Sequence, residues 1–96
     1  MSFRRAAKVD SNQAEIVAAF RAAGATVKPV HTVKGFVDVV VGYKGRNLLV
    51  EIKDGNKPPS ARKLTESEQD FHVHWKGTIE VVQSLDDVAT VLAKLS

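Results

Sequence analysis

Residues 36–55 read FVDVVVGYKGRNLLVEIKDG, and this stretch narrows the folds open to the chain more than any other. Two runs rich in Val, Leu and Ile flank a turn-like YKGR, the pattern of half-buried or buried strands joined as a hairpin. Yet Glu51 and Lys53 are threaded through the second run, and Asp54-Gly55 follows at once. Charges on a core strand are expensive unless they are paired, hydrogen-bonded or holding a metal. The fold must therefore bring partners to them.

Side-chain alternation says where those partners are. Glu51 and Lys53 share one face of their strand, while Val50 and Ile52 take the other. On the preceding strand Asp38 shares a face with Val40, and Val37, Val39 and Val41 point away. With Lys44-Gly45 as a two-residue loop, Tyr43 faces Arg46, and counting outward sets Asp38 directly opposite Glu51. Opposed residues have Cβ atoms roughly 4.5 to 5.5 Å apart. Two carboxylates that close repel unless a cation lies between them or one takes a proton. The inference hangs on parity, since one more loop residue without a bulge turns Glu51 to the other face.

Asp38, Glu51 and the backbone carbonyl of Ile52 make an oxygen donor set suited to Mg²⁺ or Mn²⁺. Lys53, on the same face, is placed to orient or deprotonate a metal-bound water or to stabilise a pentavalent phosphate, the arrangement of metal-assisted phosphodiester hydrolysis. From spacing alone, an Asp38–Lys53 or Glu51–Lys53 cross-strand ion pair on a solvated face accounts for the same residues.

The rest of the chain supplies a frame for this hairpin. A helix is expected to start near Asn12, with Asn12 and Glu15 at capping-box spacing, Ile16, Phe20 and Ala23 on its apolar face and Gly24 at its end. A first strand spans 25–30, the hairpin strands span 36–42 and 46–53, and DGNKPPSARKLT is a loop. Thr65 and Glu68 form a second capping box for a helix carrying Gln69, Phe71 and Trp75 and ending at Gly77. Phe71 and Trp75 read as core residues. A short strand at 78–83 precedes a last helix capped by Ser84, with Leu85, Val88, Leu92 and Leu95 as its apolar stripe. The order is α-β-β-β-α-β-α, an α/β (α+β) fold with a mixed sheet flanked by helices.

At 96 residues the chain makes a single domain with one modest core. It contains no cysteine, which excludes disulfides, thiolate zinc sites and a cysteine nucleophile. Nothing approaches the roughly 18 consecutive apolar residues of a membrane span, and the N-terminus has no signal-type apolar core, so a cytoplasmic setting is expected. The formal charge of +3 and pI near 9.4 accord with nucleic-acid binding. Residues 1–10 read as a basic arm. Arg4, Arg5 and Lys8 form one basic cluster, and Lys57, Arg62 and Lys63 a second, just after the Glu-Ile-Lys strand where a phosphate backbone would pass. His72 and His74 point to nearly opposite sides of a helix, which argues against a zinc pair, and His72 falls one turn after Gln69.

GFVDVVV, LLVEIKDG and LTESEQDFHVHW together resemble the PD-(D/E)XK nuclease superfamily, and more narrowly its virus-type replication-repair nuclease (VRR-NUC) domain in stand-alone form. The resemblance runs from about Asn12 to Leu95. It implies a restriction-endonuclease-like core and a metal-dependent DNA endonuclease in which Asp38 and Glu51 bind the metal and Lys53 is the catalytic lysine. It further implies that Glu15 lies near the metal, reaching it through water, and that Gln69 borders the active site. Glu15 also has the simpler reading of a capping-box residue. Val37 departs from the family pattern, which has proline before the aspartate. Small members of this kind resemble resolvases of four-way (Holliday) junctions that act as homodimers, in phage or mobile-element replication, recombination or repair. The dimer interface is then expected on the last helix or an edge strand. The competing expectations are a flap or single-strand nuclease, a catalytically idle DNA-binding module, and a structural protein with an ion-pair network.

Overall fold

The computed structural model describes residues 10–95. Eight elements follow in order: α1 (Gln13–Ala22), β1 (Thr26–Pro29), β2 (Val39–Tyr43), β3 (Arg46–Ile52), α2 (Pro59–Arg62), α3 (Glu66–His74), β4 (Ile79–Val82) and α4 (Leu85–Leu95). The sheet has four strands in the order β1-β2-β3-β4. β1, β2 and β3 are antiparallel neighbours, and β4 joins β3 in parallel after the helical crossover. The expected mixed sheet with flanking helices is present.

The hairpin register is the one that parity demanded. Tyr43 pairs with Arg46, and the ladder runs out to Val39 paired with Val50. Lys44 and Gly45 both take positive φ, 51° and 79°, which lets a two-residue loop follow the twist of the strands. One face of β2 and β3 therefore carries Val39, Val41, Leu48, Val50 and Ile52, all at 1% exposure or less. Ile16, Val17 and Phe20 of α1 and Val88, Val91 and Leu92 of α4 pack on that face and complete the core.

The helices depart from expectation in detail. Asn12 makes no side-chain cap on α1, so the Asn12–Glu15 capping box is absent. The Asn12 amide instead donates to the carbonyls of Lys53 at 3.1 Å and Gln83 at 3.3 Å, tying the start of α1 to the ends of two strands. Ala23 is exposed, and Val17 takes its place on the buried face. Gly24, at φ 98°, lies just past the end of the helix, as expected. In α4 the buried set is Val88, Val91 and Leu92, while Leu85 is half exposed. The segment taken wholly as a loop contains α2, which Pro59 opens, because proline is pre-organised for a first helical turn.

α3 covers the other face of the sheet and buries none of its side chains fully. Its capping box forms as expected, with Thr65 and Glu68 each bonding the other's backbone amide. It ends at His74 with Trp75 already extended, short of Gly77. Phe36, Phe71 and Trp75 meet edge-on or tilted at centroid separations of 5.3 to 6.3 Å. Trp75 is still 42% exposed, so this aromatic cluster is a rim and not the core expected for Phe71 and Trp75. Among the described residues no helix is long and apolar enough to cross a membrane.

Candidate active site

Where the β2–β3 ladder ends, Asp38 takes over its hydrogen bonding. The Asp38 amide donates to the Val50 carbonyl at 3.2 Å, and its carbonyl accepts from Val30 at 2.8 Å. Its side-chain Oδ2 then accepts from the Ile52 amide at 2.7 Å. A carboxylate thus stands where a backbone carbonyl of a longer strand would be, which fixes its direction. Val37 before it is buried at 3% exposure.

Glu51 lies just past the last ladder pair, Val39–Val50, with its carboxyl against that of Asp38, on the face away from the apolar core, and is only 4% exposed. Burial is the largest influence on its carboxyl, followed by the hydrogen bond and charge of Asp38 and then the charge of Glu68. Together they push it up to about 9, against the opposing pull of Lys53. Crowding and burial of this kind favour the protonated form of the Glu51 carboxyl. Lys53, 9% exposed, sits one pleat further on, and its Nζ donates to Glu68 Oε1 at 2.8 Å. Burial disfavours this ammonium, but the hydrogen bond and charge of Glu68, with Glu51 and Asp10, outweigh it and raise the lysine above its ordinary value. Glu68 shows the converse: burial works against its carboxylate, while Lys53 and the Thr65 amide hold it below the usual range.

These groups border two adjoining clefts. One, of about 220 Å³, runs between residues 31–36 and the start of α3 and is floored by Asp38, Glu51 and Glu68. The other, of about 170 Å³, is lined by Asp10, Asp38, Glu51, Ile52, Lys53 and Glu68 among others. Ile52, whose side chain is in the core, joins Asp38 and Glu51 in the second cleft. An oxygen-only set crowded enough to retain a proton fits Mg²⁺ or Mn²⁺, which take few protein ligands and leave the remaining positions to water and phosphate. Among the described residues no group of three or more His, Asp or Glu side chains is arranged to hold a metal, so any such ion would rest on two carboxylates and main-chain oxygen.

Asp38, Glu51, Ile52 and Lys53 are thus brought together, and Glu15 and Gln69 are not among them. Glu15 is exposed and lines a separate cleft of about 350 Å³ with Asn12, Gly55, Gln83 and Asp86. Gln69 is exposed, and its amide donates to the Leu64 carbonyl at 3.0 Å. Its neighbour Glu68, one step round the helix, is the residue that faces the site. The capping-box spacing had already singled out Glu68, but only as a cap. Asp10 is a second residue that the sequence reading passed over, having assigned it to the basic arm. His72 does turn inward, with Nε2 3.9 Å from Glu51 Oε1. Burial depresses its pKa, so its imidazole is neutral at pH 7. His74 lies outside, beside Asp70 at 3.4 Å.

The basic residues divide likewise. Lys57 pairs with Asp10 at 3.5 Å, and Arg62 donates to Gln83 Oε1 at 2.8 Å from a half-buried position. Lys63 is exposed. Arg4, Arg5 and Lys8 lie outside the described residues. Asp54, which follows the Glu-Ile-Lys triplet, is structural: the Asn56 amide and the Ser11 hydroxyl bond its carboxylate, each at 2.9 Å, and hold its pKa below the ordinary value. At Gly55 an added Cβ would lie 2.6 Å from the Gln83 carbonyl oxygen, so a side chain there would collide with the backbone leaving β4.

No protein-family model and no curated protein matches the chain. Among solved structures it is similar to a VRR_NUC domain, with a TM-score of 0.65 and 22% sequence identity, over 88% of this chain and 92% of that one. At that identity the likeness is one of fold: the four-stranded mixed sheet and its helices are arranged as in a VRR-NUC domain.

Proposed function

We propose that this protein is a metal-dependent endonuclease that hydrolyses phosphodiester bonds in branched DNA, with the four-way junction as substrate and a two-fold homodimer as its working form. The observation that carries this reading is the opposition of Asp38 and Glu51 at the end of the β2–β3 ladder with Lys53 beside them. The VRR-NUC fold, reached independently through the backbone, supports it. Asp38, Glu51 and the Ile52 carbonyl would hold Mg²⁺ or Mn²⁺, which when bound supplies a Lewis acid for the phosphate and lowers the pKa of the attacking water.

The chain's own groups have distinct tasks in this scheme. Asp38, fixed by the Ile52 amide, is the rigid partner, and Glu51 would serve as the second carboxylate ligand once its own proton had passed to bulk water. Lys53, an ammonium at neutral pH, orients the attacking water and offsets negative charge building on the phosphate. Lys63 contributes a sequence-independent contact to the DNA backbone. A domain of this size presents little surface to DNA, and cutting a junction symmetrically needs two active sites, which is the case for the dimer.

The deciding experiment incubates the protein with labelled four-way junction, flap, linear duplex and single strand, in Mg²⁺, Mn²⁺ or EDTA, beside Lys53→Ala. Paired symmetric nicks in the junction, lost in EDTA and in Lys53→Ala, are the expected result. Cutting of flaps or single strands alone keeps the chemistry but removes the junction and the reason for a dimer. Binding without cleavage demotes the site to an idle module, and neither binding nor cleavage overturns the reading.

A further inference from the structure

A lysine ammonium on four rotatable bonds is hard to hold still, and fixing such a side chain forfeits much of its rotamer entropy. Lys53 is nevertheless buried and directed into the cleft, and its Nζ meets Glu68 Oε1 at 2.8 Å. That same oxygen accepts from the Thr65 amide at 2.8 Å, while the Glu68 amide donates to Thr65 Oγ1 at 3.2 Å. The acceptor is therefore fixed before the lysine arrives. The capping box anchors Glu68 at both its backbone and its side chain, and the remaining capacity of one oxygen is aimed at the sheet. Glu68 also borders both clefts, where an unpaired carboxylate would repel a phosphate. Its pairing with Lys53 neutralises that charge.

We propose that Glu68 is the positioning residue for Lys53: the capping carboxylate of α3 sets where the ammonium stands over the Asp38–Glu51 pair. That the ammonium then acts on a phosphodiester rests on the function proposed above, whereas its placement by Glu68 does not. Gln69, next along the helix, has its side chain engaged with Leu64 and takes no part.

The test has two arms on the full-length protein. In the first, without metal or DNA, limiting acetic anhydride labels the amines, and mass spectrometry gives the rate at Lys53 relative to exposed Lys63. Loss of a charge-assisted hydrogen bond is expected to speed Lys53 labelling by about tenfold in Glu68→Ala. In Glu68→Gln, which keeps an acceptor oxygen for both donors, the rise is expected to be roughly threefold. Circular dichroism checks the fold, and if Glu68→Ala does not fold, Glu68→Gln decides. Unchanged Lys53 labelling in a folded variant overturns the assignment.

In the second arm Glu68→Ala is expected to lower kcat on cleavable DNA by roughly 10- to 100-fold with KM little changed, and Glu68→Gln to recover most of it. A purely structural carboxylate would move stability without this split. Wild-type kcat in folded Glu68→Ala, alongside an inactive Lys53→Ala, overturns the proposal. If the wild type cleaves nothing, the proposed function has failed, and the labelling arm alone decides the role of Glu68.

Discussion

Asp38 Oδ2 accepts a hydrogen bond from the Ile52 amide at 2.7 Å, so one carboxylate both ends a strand ladder and faces the cleft. Structure and proposed chemistry therefore load onto the same atom, and substitutions can separate them. Asp38→Asn keeps an acceptor for the amide and is expected to fold with near wild-type stability. Asp38→Ala leaves a poorly solvated N–H unpaired and should cost about 1 to 3 kcal/mol. Both should lose cleavage by more than the 10- to 100-fold typical of an outer metal partner. Urea melts and junction cleavage, measured side by side, check the separation; a fully active Asp38→Asn would remove Asp38 from the metal site.

Glu51 should make the stability of the fold fall as pH rises. Its carboxyl is pushed up from the ordinary 4.5 to about 9, so between those limits the folded state binds a proton that the unfolded state has released. The slope of stability with pH follows the excess of protons on the unfolded state, and here the sign is negative. The contribution is therefore fully present below about 4.5 and falls away as pH rises towards about 9. The melting temperature should decline from pH 5 to 9 in metal-free buffer. Glu51→Gln should remove most of that decline and be the more stable protein at pH 8.5. Differential scanning fluorimetry across the pH series reads both effects.

Divalent metal should reverse this penalty. A ligand that binds only the native state at a hundred times its dissociation constant adds about 2.7 kcal/mol, which in a domain of this size raises the melting temperature by roughly 10 to 20 °C. Mn²⁺ at pH 8 is expected to do so in the wild type and not in Glu51→Gln. Displacement of the Glu51 proton by the ion should register as proton release in calorimetry run in buffers of different ionisation enthalpy. No metal-dependent shift in the wild type would leave the carboxyl pair as a structural feature.

Arg62 and Lys63 are adjacent in sequence and should behave differently. Arg62 is engaged with Gln83, so Arg62→Ala should cost about 1 kcal/mol of stability and leave the salt dependence of DNA binding unchanged. Lys63→Ala should leave stability alone and reduce the slope of log K against log salt by about 0.9, one phosphate contact. Fluorescence anisotropy between 50 and 200 mM salt would distinguish them, and equal slopes for Lys63→Ala and the wild type would take Lys63 off the DNA.

What was legible in the sequence followed from periodicity. Two-residue alternation placed Val39, Val41, Leu48, Val50 and Ile52 on one face, and the Lys44-Gly45 turn fixed the register out to Val39 and Val50, just beyond which Asp38 and Glu51 come together. Alternation is a local rule, so it survives ignorance of the tertiary fold. What was not legible depended on segments meeting from far along the chain. Asn12 has the chemistry of a cap but is drawn to the carbonyls of Lys53 and Gln83, and no local pattern announces that preference. Glu68 and Gln69 differ by about 100° of rotation around the helix, and only the seating of α3 decides which faces the sheet. Asp10 lines the cleft just ahead of α1, whose start is tethered through Asn12. Arg62 is held by Gln83, 21 residues away.

α3 buries no side chain fully, whereas α1 and α4 are stitched into the apolar core. The molecule is therefore built in two tiers of persistence. Its scaffold is expected to open only with global unfolding, and the roof over the carboxyl pair to lift by local melting while the sheet beneath stays intact. Backbone amides of α3 should trade hydrogen for deuterium well before those of β2 and β3. That local opening should cost less free energy than opening of the whole fold, and it sets how often the buried carboxyls meet bulk water.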